Sequence, residues 1–130
     1  DGLSDINLDA LLAYHRSKNL AVTVTGVRPP ARFGELQIDS DGIASGFNEK
    51  PQASAGMISG GFFVCEPTVF THMNSREDLV FEQDPMQSLV GEKLLAVYQH
   101  DGFWQCMDTF RDWQLLNSMI DQEKAPWKVW

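Results

Sequence analysis

The stretch that decides the fold is Asn7-Leu8-Asp9-Ala10-Leu11-Leu12-Ala13-Tyr14-His15-Arg16-Ser17-Lys18-Asn19 with the Leu20-Ala21-Val22-Thr23-Val24-Thr25-Gly26-Val27 that follows. Asn7 suits a helix cap, because its side-chain oxygen can accept from an unpaired N–H of the first turn. Leu8, Leu11, Leu12 and His15 then fall at helical spacing on one face. Lys18-Asn19 closes the helix, and the pattern changes at once. Residues 20–27 are apolar and rich in β-branched side chains, as expected of a strand buried in a sheet. A helix that runs straight into such a strand is the later part of a βαβ unit, so the fold class is α/β. Asp1-Gly2 reads as a turn leading into the helix, and the strand completing that unit is expected ahead of residue 1.

Downstream, Arg28-Pro29-Pro30-Ala31-Arg32 cannot continue the strand, since neither proline has a ladder donor. Residues 33–39 and 43–49 flank Ser40-Asp41-Gly42, a strong hairpin signal. Pro51 then forces Lys50 into an extended conformation. Residues 57–65 read as another buried strand, interrupted by Gly60-Gly61, a pair that marks a bulge or a close approach. Pro67 starts a short helix to about Met73, and Asp84-Pro85 is read as the N-cap and first residue of another. Residues 94–99 and 103–107 read as strands. A last helix is expected over residues 109–122, with Trp113, Leu116 and Ile120 on one face. This order predicts a mixed β-sheet with helices on its faces. The ending, Ala125-Pro126-Trp127-Lys128-Val129-Trp130, is too apolar to stay in water and must dock on its own domain or on a partner chain.

The chain has 130 residues, enough for one domain with a core, and 43% of them are hydrophobic and 22% charged. A formal net charge of -8 argues against nucleic-acid binding, because phosphate backbones select a basic face. It does not exclude a nucleotide or sugar phosphate, which one local Lys or a carboxylate-held Mg²⁺ can accommodate. No apolar run is long enough to span a membrane, and the start carries no signal-peptide pattern. The two cysteines, Cys65 and Cys106, are expected to be reduced and buried, which points to the cytoplasm. His15, His72 and His100 have no metal-ligand spacing, so zinc is discounted.

Asp108 is the sharpest candidate for chemistry. At the junction of a strand and a helix it can be a Mg²⁺ ligand. Alternatively Asp108 or Thr109 caps the last helix, with Asp112 completing a capping box from Thr109. Spacing favours the cap, and the two roles coexist if Thr109 caps while Asp108 points away. Asp1 could be a second carboxylate on the same cation, or a frayed terminus. Glu49 and Lys50 could meet sugar hydroxyls and a phosphate, or form a solvated pair. Gly60 could let a sugar lie against bare backbone, and Trp104 could stack on a sugar or base, although a Trp in an apolar strand is more often core. There is no G-x-S-x-G nucleophile elbow, P-loop or G-x-G-x-x-G, so hydrolase and dinucleotide-oxidoreductase readings have no support.

Taken in order, V-R-P-P-A-R-F-G-E-L, F-N-E-K-P, I-S-G-G-F-F-V, H-D-G-F-W-Q-C-M-D-T-F-R-D and K-A-P-W-K-V-W resemble the C-terminal half of the glucose-1-phosphate cytidylyltransferases. These are sugar-nucleotide pyrophosphorylases, and the resemblance covers essentially the whole chain. It implies a partial Rossmann-like nucleotidyltransferase fold, with residues 1–130 as the sugar-phosphate-binding half and the nucleotide-binding half outside this sequence. The implied reaction joins CTP and glucose 1-phosphate into CDP-glucose and pyrophosphate. The sugar phosphate would attack the α-phosphorus directly, so no covalent nucleophile is needed.

Carried over by motif, Asp1 and Asp108 would be catalytic Mg²⁺ ligands, and Glu49 and Lys50 would sit at the sugar and its phosphate. Gly34, Ser59 and Gly60 would line the sugar site, with Trp104 near it. Ser59 departs from the family's usual Asn, which puts sugar affinity in doubt. The family's Gly-rich triphosphate loop would lie ahead of Asp1, so the chain alone is expected to have negligible activity. Two other readings stand beside this one: a non-catalytic fragment that binds a sugar phosphate or self-associates, and a sister enzyme using dTTP or UTP. An orphan half-sheet would expose a strand edge, so a homo-oligomer or rearranged strands are expected, with Trp127 and Trp130 in the contact.

Overall fold

The computed structural model describes residues 1–29, 35–48 and 56–129. They form α/β elements in two compact units. One unit comprises Asp1–Asp5, Val27–Ile58 and Asp101–Trp130, and the other Ile6–Gly26 and Ser59–His100.

The second unit is built around strand β2 (Val22–Val27), whose residues are all buried. Helix α1 (Leu8–Lys18) leads into it. Asn7 caps α1 by accepting from the Ala10 N–H at 2.9 Å, and Asn19 ends it in the left-handed conformation at φ 52°. The expected apolar face is only partly buried: Leu11 and His15 are enclosed, whereas Leu8 is 61% exposed.

Residues 57–65 are broken as the glycines predict, into β5 (Ile58–Ser59) and β6 (Val64–Cys65), with Gly61 at φ 76° and Phe62 at φ 49° between them. Both run along one edge of β2: Gly60 N–H donates to the Thr25 carbonyl at 2.8 Å, and Val22 and Thr23 face Cys65 and Val64 in antiparallel register. Strand β7 (Leu95–His100) pairs with the other edge, where Val22 N–H donates to the Leu94 carbonyl at 3.1 Å. The expectation of a fully buried strand here fails, since β5 and Cys65 are exposed. The reason is positional: these residues form the border of the sheet rather than its middle.

A 3-10 turn (Pro67–His72) and α2 (Asp84–Gly91) close this core, in which Ala21, Val22, Val69 and Leu89 pack together. Gln83 rather than Asp84 takes the cap position of α2, with no side-chain cap bond, so that cap was placed one residue late.

In the first unit, β1 (Gly2–Ser4) pairs antiparallel with β8 (Trp104–Cys106), Gly2 facing Cys106 and Ser4 facing Trp104. Asp1-Gly2 was expected to be a turn. It is instead the start of a strand, because β8 offers it a ladder partner. The hairpin forms as read, with β3 (Glu35–Ile38) on β4 (Ala44–Asn48) and Gly42 at φ 81° in the turn. Asp39 fastens that turn by accepting from the N–H groups of Asp41 and Ile43 at 3.0 and 2.9 Å.

Helix α3 (Phe110–Asp121) buries Leu116, but Trp113 and Ile120, placed on the same face, stay 49% and 47% exposed. Trp127 is buried on its own chain, stacked on Phe103 with ring centroids 5.3 Å apart. Of the two dockings expected for this tail, Trp127 takes the one on its own chain, and Trp130 lies outside the described residues. The expected burial of the two cysteines fails: Cys65 is exposed and Cys106 only partly buried.

Candidate functional site

The β1–β8 pair assembles the candidate site of the first unit. Its ladder extends one residue past β8: Met107 N–H donates to the Asp1 carbonyl at 2.8 Å. This brings together two residues from distant parts of the chain, and the Asp1 α-amino nitrogen lies 3.2 Å from Asp108 Oδ1. The contact uses the nitrogen of Asp1 and not its carboxylate. Both side chains are well exposed, at 88% and 66%, so in water the pair contributes little stability.

Asp108 is spared for this role because Thr109 is the helix cap. Asp112 N–H donates to Thr109 Oγ1, and the Asp112 carboxylate accepts from Thr109 N–H, completing the capping box. Asp108 contributes its backbone N–H to the same carboxylate at 3.3 Å, which orients the main chain and leaves its own carboxylate directed elsewhere.

Trp104 lies against Gly2. A Cβ at Gly2 would meet the indole Nε1 at 3.1 Å and Cε2 at 3.4 Å, tighter than ordinary contact. A side chain after Asp1 would therefore need the indole to give by a few tenths of an ångström. Arg28 forms an ion pair with Asp101 at 3.1 Å, at the turn ahead of β8.

Two carboxylates and a phosphate oxygen are a donor set that Mg²⁺ accepts. Among the described residues no group of three or more His, Cys, Asp or Glu is placed to hold a metal ion.

The remaining candidates are not gathered here. Ser59 and Gly60 belong to the other unit: Ser59 is exposed on β5, while Gly60 is buried and bonded to Thr25. Gly34, Glu49 and Lys50 lie outside the described residues.

The second unit contains an arrangement that spacing did not reveal. His15, 2% exposed, places Nδ1 2.8 Å from Thr23 Oγ1 and Nε2 3.2 Å from Glu66 Oε1. A hydroxyl, an imidazole and a carboxylate in line suggest a nucleophilic relay. Thr23, however, is completely buried within β2 and can reach no substrate. The three residues form a strut joining α1, β2 and the end of β6. The sequence signal was present in the position of His15 on the helix's apolar face, but its partners are set by the sheet.

His15 and Glu66 also line a cavity of about 660 Å³ with Arg16, Thr68 and His72. It lies at the start of β2, away from the Thr25 end where Gly60 pairs. Cys65, just before Glu66, has its thiol pKa pushed up by desolvation.

The fold resembles that of two solved structures. A crystal structure of a Bacillus anthracis protein assigned as a glucose-1-phosphate thymidylyltransferase, in complex with sucrose, superposes with a TM-score of 0.62 at 17% identity, over 92% of this chain and 51% of that one. HddC from Yersinia pseudotuberculosis gives a TM-score of 0.61 at 16% identity, over 92% of this chain and 52% of that one.

Residues 1–121 match the family described as Nucleotidyl transferase, and the chain belongs to that family. It is 43% identical to a Bacillus subtilis protein named "probable glucose-1-phosphate cytidylyltransferase", over 100% of this chain and 50% of the relative. With the glucose-1-phosphate cytidylyltransferase of Salmonella typhi it shares 38% identity over the same proportions. The chain thus spans about half the length of the curated relatives it matches. None of its described helices is long and apolar enough to cross a membrane.

Proposed function

We propose that the chain is the sugar-phosphate-binding half of a glucose-1-phosphate cytidylyltransferase, and that the whole enzyme converts CTP and glucose 1-phosphate into CDP-glucose and pyrophosphate. The observation that carries this reading is the meeting of Asp1 and Asp108 across the β1–β8 pair. The similarity of the entire chain to proteins of that name supports it.

In the proposed reaction an oxygen of glucose 1-phosphate forms a bond to the α-phosphorus of CTP, and the bond to the departing pyrophosphate breaks. Mg²⁺ bound at this site would neutralise phosphate charge. The chain's own part is positioning. Asp1 and Asp108 offer carboxylates from two adjoining strand ends. Glu49 and Lys50 meet the sugar hydroxyls and its phosphate, and Gly34, Ser59 and Gly60 border the sugar. Trp104, held against Gly2, supplies an apolar wall beside the acidic pair. The absence of a nucleophile motif suits direct attack, in which catalysis is chiefly orientation and charge neutralisation. We place the protein in the cytoplasm and expect it to self-associate.

Calorimetry of the 130-residue chain with glucose 1-phosphate and Mg²⁺ tests the reading. Binding that disappears in Lys50→Ala and weakens in Asp108→Asn is the expected result. No binding at all would leave an assembly role instead. The chain alone should make no measurable CDP-glucose, and synthesis without any added polypeptide would overturn the half-site reading.

A further inference from the structure

We propose that the cavity at the start of β2, within the second unit, is a binding site for a small neutral polyhydroxyl ligand of the size of a simple sugar. It is separate from the reaction site proposed above: Ser59 and Gly60, which belong to the same unit, do not line it. The inference stands on the lining alone and does not depend on that reading.

The walls are fixed by contacts within the protein. The end of α1 supplies Arg16 and Asn19, the 3-10 turn supplies Thr68 and His72, and Leu20 and Leu94 add apolar surface. His15 holds the helix in place, with its ring nitrogens 2.8 Å from Thr23 Oγ1 and 3.2 Å from Glu66 Oε1. Asn19 ends α1 in the left-handed conformation, its N–H donating to the His15 carbonyl at 3.3 Å. His72 Nδ1 lies 3.2 Å from Ser88 Oγ, which ties the turn to α2. A volume of about 660 Å³ is that of a small-molecule site, and walls already in place reduce what a ligand must order on binding.

The charges of the lining select against ions. Apart from the imidazoles it carries one guanidinium, Arg16, and one carboxylate, Glu66, and these cancel. An anion gains at Arg16 what it loses beside Glu66 and at the carbonyl end of α1. The net charge of -8 on the whole chain weighs further against it. A cation meets the converse: Arg16 repels it, and Glu66 is already joined to His15.

What the lining offers instead is a mixture of donors and acceptors. Arg16 can only donate and the Glu66 carboxylate can only accept, whereas the Asn19 amide and the Thr68 hydroxyl do both. A hydroxyl group also does both, so neighbouring hydroxyls on one ring can accept from Arg16 and donate to Glu66 without carrying charge. The C–H face of such a ring suits the apolar surface of Leu20 and Leu94. A wholly apolar ligand would take these polar groups out of water and leave them unpaired, which is costly.

The test follows the backbone amides of the 130-residue chain by NMR during titration with D-glucose, sodium phosphate and glycine. With glucose the amides of Asn19 and Thr68 should shift together and saturate in the millimolar range, and with phosphate or glycine they should not. Arg16→Ala and Asn19→Gly, both at exposed positions, should each weaken the response about tenfold while circular dichroism stays unchanged. Glycine suits the φ of 52° at position 19, so the second change removes the amide without straining the end of α1. Three results would overturn the proposal: no saturable shift with glucose, a response undiminished in either variant, or phosphate or glycine binding more tightly than glucose. Glu49→Gln separates this site from the reaction site. The shifts at Asn19 and Thr68 should persist in that variant, and their loss would assign the glucose response to the reaction site and sink the cavity.

Discussion

Thr109 and Asp112 satisfy one another's backbone: Asp112 N–H donates to Thr109 Oγ1 at 3.2 Å, and Thr109 N–H donates to Asp112 Oδ2 at 3.0 Å. Thr109, and not Asp108, is therefore the cap of α3. A helix start has a limited number of unpaired donors, and Thr109 with Asp112 takes two of them. Asp108 is thereby released from capping and stands beside the Asp1 nitrogen.

Thr109→Ala should lower folding stability by about 1 kcal/mol, the usual cost of a lost cap. Asp108→Asn should change it by less than about 0.5 kcal/mol, as expected of an exposed side chain away from the core. Urea unfolding of both variants, followed by circular dichroism, checks the pair. A larger loss in Asp108→Asn would mean that Asp108 is the structural residue.

The His15 strut gives a second prediction. Thr23→Val keeps the side chain's shape but leaves His15 Nδ1 without its partner in a buried place, at a cost of about 1–3 kcal/mol. Glu66→Gln retains a hydrogen-bond acceptor at the more exposed end and should cost less. Thermal unfolding ranks the two, and the reverse order would place the weight of the strut on its carboxylate.

Gly2→Ala tests the packing beside the acidic pair. The new methyl group would press on the Trp104 indole at 3.1 Å, so the ring must shift or β1 must lift from β8. The near-ultraviolet circular dichroism of tryptophan should change, with the far-ultraviolet spectrum preserved. An unaltered tryptophan signal would show that the ring does not rest on Gly2.

Cys65 provides a pH signature. Desolvation raises its thiol pKa, so the protonated form is favoured by folding. Its contribution to stability is therefore fully present below the pKa of an unfolded cysteine and is lost as pH rises through the higher folded value. Because the thiolate is the nucleophile, iodoacetamide labelling of Cys65 should show a midpoint above that of free cysteine. A midpoint at or below the free value would contradict the shielding.

Much of the fold was readable because it depends on neighbours in sequence. Asn7 capping α1, Asn19 ending it and Ser40-Asp41-Gly42 turning the hairpin each involve residues only a few positions apart. The same holds for the Thr109–Asp112 box, which was foreseen as one of two alternatives. The site was less readable. Spacing placed Asp108 at a helix start, and only a resemblance linked it to Asp1. His15 looked like part of an apolar stripe, because the Thr23 hydroxyl and the Glu66 carboxylate reach it from strands that the helix pattern cannot see. Residues 57–65 looked buried because an apolar run reads alike at the centre and at the border of a sheet.

The sequence by itself thus determined the α/β class, the caps of α1 and α3 and the hairpin turn. Tertiary structure alone decided that β1 pairs with β8, which brings Asp1 to Asp108 across a separation of 107 residues. It also decided that Cys65 is exposed beside β2 and that Trp127 is stacked on Phe103. The physical reason is the range of the interactions. Caps and turns are closed by hydrogen bonds within a few residues, whereas strand order and border position depend on which distant segments share a ladder.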